Sequence, residues 1–572
     1  MTQSLHQYGA DGRPTLRNWR EVMKPERLVA MQPNRLSGTR AIVARMVRER
    51  WDIRNTRIDV DADGNGTVVY SISTPRKEFS FIAFSFKPKP EGRTGRIIGR
   101  TWDMMGTLNE GPATDEDIRA ARDRLPLLYR GRATPNALVW CRCNRSLRAF
   151  DAAQSALEAG RQPDIEELSA ISYLMRNTGL DGNGTFGTRS FPSLGEDHDL
   201  GGVLQAQLLL GYLMREFSCD LVSHLAKLHS DTAVELAPEF RRYVGVGNGS
   251  ALGLIFFIQK HPRLVDSWIT ARETAVAKAL GLNVARDRDT LERLKSLLNR
   301  AVRFRREDRM YYESFASSAQ VADELSTLLP LLDELADKCT IGGEVPEYPL
   351  DALARRCART FMPESYETFL SLIVELIPDE ADALLSGIGG ADEYVVDPTM
   401  TAGDLTLRLR QEYEWALSMD TTAPGAMEYV WYKSETAEEP RRGARREAPE
   451  ARDLAIDMPG DLQRLVADLD AVVPDTAMAH FLLAHPQHRL AVARAQALQG
   501  RYFHTPHANV NAVDFVPIHL VRLMNSAFHG IDKTRDFLGR NLRGVLFHGA
   551  PTRDDIRAGQ GADWFYPEEP VQ

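Results

Sequence analysis

Cysteine is scarce in this chain of 572 residues, which contains only five. An odd number of cysteines in a long chain argues against a framework of disulfides and for a reducing compartment. Cys141 and Cys143 are separated by one residue, and no second pair lies near them in the sequence to complete a zinc motif. We therefore predict free thiols that are buried in the core or carried on helices.

Long hydrophobic runs are also missing. The nearest to one, residues 203–214, contains polar residues and is too short to cross a membrane. The first residues lack the basic start and apolar stretch of a secretory signal. Acidic residues outnumber basic ones by 79 to 70, which disfavours a broad phosphate-binding surface. These absences predict a soluble, cytoplasmic protein that binds neither a membrane nor nucleic acid.

The periodicity of the apolar residues predicts a mostly helical protein with a small β component. Runs rich in β-branched and aromatic residues, separated by turn sequences, predict an antiparallel meander over 57–62, 67–73, 79–87 and 96–102. From about residue 114 onward helical patterns dominate, and a strand-like run returns at 545–549. The expected fold class is α+β, predominantly α-helical, with a small antiparallel β-sheet near the N-terminus and a C-terminal helix–strand unit.

Composition divides the chain into four segments. Residues 1–110 are expected to hold an N-terminal helix and the meander, and residues 111–435 a helical body without a parallel β-α-β core. Residues 436–452 mix charges with proline and glycine and predict a solvated loop. Residues 453–572 are expected to form a C-terminal helical unit with a terminal strand. Within the body, Asp164 is expected to cap a helix that continues through Met175.

Two segments rich in glycine and asparagine are the most suggestive of a binding site. The first, 176–189, is expected to follow a helix, and the second, 244–253, to precede one. Glycine permits close backbone approach, and exposed amides with guanidinium groups suit a carboxylate or phosphate. The candidate substrate-binding residues are Arg176, Asn177, Asn183, Arg189, Asn248 and Ser250. In the alternative interpretation, both segments are tight structural connections between closely packed helices.

Three side chains are candidates for proton transfer. Asp181 lies inside the first glycine-rich segment, while Lys433 and Glu435 stand close together ahead of a run of arginines. A lysine beside a carboxylate in a cleft can serve as an acid–base pair. The alternative is an amphiphilic strand edge followed by a solvated charge run.

No metal motif is complete in the sequence. The segment 61–66 resembles the start of a calcium-binding loop, but the position that needs a bidentate carboxylate is Ile72. Two histidine pairs, His485 with His488 and His504 with His507, are interrupted by prolines and have no evident carboxylate partner. Dinucleotide-binding, P-loop, zinc-protease and hydrolase-elbow motifs are missing from the sequence. We expect no bound metal and no cofactor.

The leading hypothesis is a cofactor-independent enzyme of the bacterial metabolic type. It would act on a small anionic or zwitterionic metabolite by proton transfer, hydrolysis or elimination, as a lyase or hydrolase. The alternative is a non-catalytic binding or assembly protein whose glycine-rich segments are structural turns. An enzyme should bring both segments and a titratable group into one site. A homo-oligomer is compatible with either hypothesis.

Overall fold

A computed structural model of the protein describes most of the chain. The described residues are 5–31, 35–87, 102–128, 137–146, 148–180, 198–201, 204–249, 262–284, 287–307, 316–341, 343–388, 396–423, 430–433, 441–442, 454–497, 523, 526–527, 535–536, 542–561, 564 and 566–570.

The central element of these residues is a mixed sheet that curves into a half-barrel. Its nine strands, the last of them a two-residue edge strand, follow the order β1-β2-β3-β4-β5-β6-β7-β12-β11. They are β1 (Asp52–Val60), β2 (Gly66–Ser73), β3 (Glu78–Ser85), β4 (Met104–Glu110), β5 (Ala137–Arg145), β6 (Tyr173–Leu180), β7 (Gly245–Gly249), β11 (Arg535–Asp536) and β12 (Leu542–Leu546). The sheet therefore draws strands from both ends of the chain.

The first six strands form an antiparallel meander whose turns follow local sequence signals. Between β1 and β2, Asp61 Oδ1 accepts a hydrogen bond from the amide of Asn65 at 2.8 Å. Gly64 in the same turn has a φ of +81°, a conformation that favours glycine. The segment 61–66, which resembles the start of a calcium-binding loop, is therefore a hairpin turn.

The next strand pairing is parallel, which the sequence had not suggested. The chain leaves β6, passes through a long helix, α7 (Gln205–His229), and a short one, α8 (Pro238–Tyr243), and returns as β7 beside β6. Strand β12 then pairs antiparallel with β7, with Gly544 opposite Asn248. A β-α-β connection thus lies inside a segment that was expected to lack one.

Helix α7 lies against the sheet and is buried on all sides. Residues 206–223 are all buried. The Cys143 sulfur of β5 lies 3.1 Å from the Met214 sulfur of α7, so Cys143 faces this helix. Among the helices of the described residues, none is both long enough and apolar enough to cross a membrane.

The other helices fall into two groups, those that come before α7 in the chain and those that form a bundle after β7. Those before α7 are α1 (Trp19–Val22), α2 (Pro25–Leu28), α3 (Gly38–Glu49), α4 (Asp115–Leu128), α5 (Ala149–Glu158) and α6 (Ile165–Ser169). Those of the bundle are α9 (Pro262–Leu280), α10 (Arg288–Glu307), α11 (Ser318–Ser326), α12 (Leu328–Ile341), α13 (Pro349–Thr360), α14 (Pro363–Val374) and α15 (Pro378–Ser386). Helices α11 and α12 are separated at Thr327, and Pro330 lies in the first turn of α12, where its missing N–H removes no hydrogen bond of that helix.

Buried ion pairs fasten the N-terminal segment to this bundle. Arg17, which is 1% exposed, lies 2.6 Å from Glu273 of α9 and 2.8 Å from Glu367 of α14. Arg272 of α9 lies 3.0 Å from the same Glu367. Because each buried guanidinium has a carboxylate partner, the desolvation of these charges is offset.

A second hydrophobic core is separate from the first and lies within residues 402–495. It is built by α16 (Ala402–Glu412), α17 (Glu414–Leu417), α18 (Met458–Asp470), α19 (Met478–Ala484) and α20 (Arg489–Ala497). A small sheet in the same part of the chain contains β8 (Val430–Lys433), β9 (Arg441–Arg442) and β10 (Leu454–Asp457). The last helix of the described residues, α21 (Arg553–Ala558), follows β12.

The predicted fold class is wrong in two respects. The sheet is large and mixed rather than small and antiparallel, and the C-terminal strand is part of it rather than of a separate helix–strand unit. One predicted helix is also wrong: Asp164 caps α6 by accepting from the amide of Glu167, but α6 ends at Ser169 and Met175 lies in β6. The apolar run 171–175 suits either element, and pairing with β5 and β7 decides it. The proposed division at residues 110, 435 and 452 stays a prediction.

Candidate functional site

The parallel pair β6–β7 brings the two glycine–asparagine segments together. Arg176 is in register with Gly247, and Asn177 is in register with Asn248. Parallel strands end at the same edge of a sheet, so Leu180 and Gly249 both end their strands at this edge, with β6 running two residues beyond the end of β7. In doubly wound α/β sheets, ligands bind beyond the carboxyl ends of parallel strands. Here β6 and β7 form a parallel pair within a mixed sheet.

The structure places some of the predicted site residues and leaves others undescribed. Arg176 is partly buried and Asn177 is 4% exposed, both on β6, while Asn248 holds the matching position on β7. Lys433 ends β8 in the small sheet, and not in the large one. The predicted residues outside the described part of the chain are Asp181, Asn183, Arg189, Ser250 and Glu435.

Strand geometry separates Arg176 from Asn177. Successive side chains of a strand point to opposite faces, and directly paired residues share a face. Asn177 pairs with Cys143, which faces α7, so Asn177 lies on that face. Arg176 pairs with Asn144 and therefore lies on the opposite face. The two residues cannot contact one ligand from the strand itself.

Arg142 occupies the same face as Arg176 and was not predicted. It lies next to Cys143 in β5, is 7% exposed, and its guanidinium carbon is 4.7 Å from the ring of Trp102 and 5.8 Å from that of Trp140. Its Nε donates to the carbonyl oxygen of Thr178 in β6 at 3.3 Å. Among the described residues, no carboxylate forms an ion pair with it, and burial lowers the pKa of its guanidinium.

The signal for Arg142 was present in the sequence. An arginine is the sixth residue of the otherwise apolar run Ala-Leu-Val-Trp-Cys-Arg-Cys, where alternation alone would place it on the same sheet face as Trp140. Its two cysteines, Cys141 and Cys143, are buried free thiols, as predicted.

Close packing explains two glycines of the second segment. A Cβ added to Gly247 would lie 2.7 Å from ring atoms of Tyr173. A Cβ added to Gly245 would lie 2.4 Å from the carbonyl oxygen of Leu546 in β12. Both distances are too short for a side chain, so these two glycines are required by the sheet whether or not a ligand binds.

A buried arginine of α7 holds the start of β7 in place through hydrogen bonds. Arg215 is fully buried and donates to the carbonyl oxygen of Val244, immediately before β7, at 2.8 Å. It also donates to the carbonyls of Ala550 at 2.6 Å and Pro551 at 2.9 Å, beyond β12. The hydroxyl of Tyr212 donates to Pro551 as well, at 2.8 Å. The start of β7 and the turn after β12 are thus held by one helix.

One turn further along α7, a second buried cluster forms around Asp220. Its carboxylate accepts hydrogen bonds from Tyr70 at 2.7 Å, Arg241 at 2.8 Å and Arg553 at 2.9 Å. Burial alone would raise the pKa of Asp220, but the two arginines outweigh it and the pKa is lowered. For Glu216, burial prevails over its arginine neighbours and the pKa is raised. This cluster ties β2, α7, α8 and α21 together.

A third polar cluster lies in the second core. Asp468 of α18, His485 after α19 and His488 of a short 3-10 helix (Pro486–His488) bring one ligand atom each within 4.8 Å of one another. His488 Nε2 lies 2.7 Å from Asp468 Oδ2, and His485 Nδ1 lies 3.4 Å from it. The expectation that no carboxylate accompanies this histidine pair is therefore wrong. Asp468 belongs to a different helix, so spacing could not reveal it.

Comparison of the chain with protein-family models, with curated proteins and with solved structures finds no match in any of the three.

Proposed function

We propose that this protein binds a small anionic or zwitterionic metabolite on the sheet face that carries Arg142 and Arg176, and acts on it by proton transfer, hydrolysis or elimination. The observation that carries the proposal is Arg142, a buried guanidinium with no carboxylate partner among the described residues. A buried cation without a counter-charge is costly, and an anionic ligand would supply that charge. The rings of Trp102 and Trp140 add apolar faces 4.7 Å and 5.8 Å from the guanidinium carbon.

The position of Arg142 supports the same function. It bonds to Thr178 of β6, and Asp181, the candidate acid or base, follows β6 in the sequence after Leu180. Arg176 lies on the same face one strand away. Two guanidinium groups near the end of a parallel pair are suited to a carboxylate or phosphate.

The alternative, a non-catalytic binding or assembly protein, has one observation in its favour. Gly245 and Gly247 are required for close packing against Leu546 and Tyr173. This structural demand accounts for part of the glycine pattern without a ligand. It does not account for the burial of Arg142, which is why the ligand-binding function is preferred.

The test replaces Arg142 by methionine, which keeps the length of the side chain and removes the charge. We expect the variant without ligand to melt at or above the temperature of the wild type, because an uncompensated buried charge is lost. A thermal-shift panel of carboxylates, phosphates and amino acids should identify a compound that stabilises the wild type. Its affinity should fall about 10- to 150-fold in Arg142→Met and in Arg176→Ala, the loss of a charge-assisted contact.

The matched control is Arg145→Met, which removes a charge from the same strand on the opposite face. It should bind the compound with wild-type affinity. The proposal is wrong if Arg142→Met and Arg176→Ala also bind it as the wild type does, or if no anionic compound stabilises the wild type. A compound that binds at Arg142 but is recovered unchanged, as judged by mass spectrometry, would favour the non-catalytic alternative.

A further inference from the structure

The cluster of Asp468, His485 and His488 has the donor set of a divalent metal site. Two imidazole nitrogens and one carboxylate oxygen are ligands that zinc prefers in proteins. A tetrahedral zinc ion with ligands at about 2.1 Å spaces neighbouring donor atoms about 3.4 Å apart. The distance from Asp468 Oδ2 to His485 Nδ1 is 3.4 Å, and the shorter one to His488 Nε2, 2.7 Å, is a hydrogen bond that the ion would replace.

Local structure holds the two histidines in place. Helix α19 ends at Ala484, and Pro486 then opens the short 3-10 helix that carries His488. The rings of His485 and His488 are stacked with centroids 6.2 Å apart, and Phe481 stacks on His485 at 4.8 Å. Because the backbone turn and the ring stack both fix the imidazoles, little ordering is needed when an ion binds.

The carboxylate is available to a metal. Among the described residues, Asp468 forms ion pairs with the two histidines and with no lysine or arginine. Asp470, on the same helix, is instead paired with Arg410 at 2.8 Å.

The site is partly open to solvent. The side chain of Asp468 is 38% exposed and that of His485 is 28% exposed, whereas His488 is 7% exposed. Three protein ligands with solvent access on one side leave a coordination position for water or a small anion. This arrangement is typical of catalytic or exchangeable zinc sites rather than of closed structural ones.

We infer that Asp468, His485 and His488 bind one zinc ion with an open fourth position. This inference replaces the expectation from the sequence that no metal is bound. It does not depend on the proposed function, since these residues belong to the second core and Arg142 belongs to the large sheet. An ion at this position would join α18 to the turn between α19 and α20 and so stabilise the second core.

The experiment titrates the metal-free full-length protein with zinc chloride and measures binding by calorimetry. The wild type should bind one equivalent, and its thermal melt should rise with zinc and fall again with a chelator. Asp468→Asn and His485→Gln should each weaken binding at least tenfold. Both side chains are partly exposed, so circular dichroism without zinc should remain that of the wild type.

Two controls keep the result specific. His480→Gln removes an exposed histidine from α19 and should leave zinc affinity unchanged. The double change of His504 and His507 to glutamine should also leave it unchanged. The inference fails if Asp468→Asn and His485→Gln bind zinc as tightly as the wild type, or if the double variant alone loses the ion. It also fails if the wild type binds no zinc.

Discussion

Buried arginines in this protein are compensated in three different ways. Arg17 lies between two carboxylates of the helical bundle. The guanidinium of Arg215 lies 3.4 Å from Glu216, but its hydrogen bonds go to backbone carbonyl oxygens, whose dipoles stabilise the charge. Arg142 has one carbonyl and two indole faces. Cation–π contacts contribute about 0.5–2 kcal/mol, which is less than the desolvation penalty of a buried guanidinium. Of these three arginines, Arg142 therefore has the least compensation for its charge and is the best candidate to bind an anion.

His6 gives stability a dependence on pH that can be isolated. It is 8% exposed, and burial, followed by the charges of Arg17, Arg355 and Arg27, lowers its pKa from 6.5 to about 4, with Glu367 acting in the opposite direction. The unfolded chain therefore takes up this proton first as the pH falls. The stability that the neutral form contributes is complete above pH 6.5 and is lost between pH 6.5 and 4, a difference of about 3 kcal/mol.

The measurement compares urea unfolding of the wild type and His6→Gln at pH values from 7 to 4. All other titrating groups are common to both proteins, so the gap between their free energies of unfolding reports His6 alone. We expect the wild type to lose its advantage over the variant as the pH falls. A gap that stays constant over this range would contradict the prediction.

At the scale of the element, helix α7 holds the sheet through polar groups as well as through packing. Replacing Arg215 by methionine would remove the donors to Val244, Ala550 and Pro551, while Tyr212 could still serve Pro551 alone. Buried acceptors left without donors and a break in a buried network cost about 3–5 kcal/mol. We expect Arg215→Met to lower the free energy of unfolding by this amount in chemical denaturation.

The control for this prediction is Arg242→Met. Arg242 joins α8 to α21 through Asp555 at 2.7 Å, but its side chain is 48% exposed. An exposed ion pair contributes about 0–1 kcal/mol, so this variant should unfold nearly as the wild type does. If both variants lose the same stability, the burial of Arg215 is not what gives its contacts their weight.

The elements that could be predicted from the sequence are those whose signals are local. Asp61 and Gly64 mark a hairpin, and Pro262 and Gly281 mark the ends of a helix that the structure has at Pro262–Leu280. Strands β6 and β7 were missed because their pairing partners are remote. Gly245 is held against Leu546, which is far along the chain, and no local pattern carries that information. For the same reason, the sequence did not reveal that Asp468 lies beside His485 and His488.

At the scale of the whole molecule, two separate hydrophobic cores predict two unfolding transitions. Leu213 is fully buried in the core beneath the sheet, and Leu465 is fully buried in the second core. Truncation of a buried leucine to alanine costs about 2–5 kcal/mol. In scanning calorimetry, Leu213→Ala should lower one transition and Leu465→Ala the other. A single transition that both changes lower equally would mean that the cores unfold together.

The candidate ligand site was predicted only in part at this scale. That the two glycine–asparagine segments belong to one region could be inferred from their composition, and the register of β6 and β7 places the two strands side by side. Which face each side chain occupies depends on pairing with β5, so the division between Arg176 and Asn177 could not be inferred. The role of Arg142 depends on Trp102, which lies in a separate segment.

The place of β12 inside the sheet has a consequence for synthesis on the ribosome. Arg215 and the carbonyl oxygen of Pro551 are 336 residues apart in sequence, and β7 meets β12 only when the same late segment has emerged. At about 5–20 residues per second, the interval lasts roughly 20–70 s. Throughout it, the nascent chain carries an open strand edge, which is a template for pairing with other chains, and a guanidinium that lacks its late acceptors at Ala550 and Pro551. The half-barrel therefore closes late, only once β12 has been synthesised.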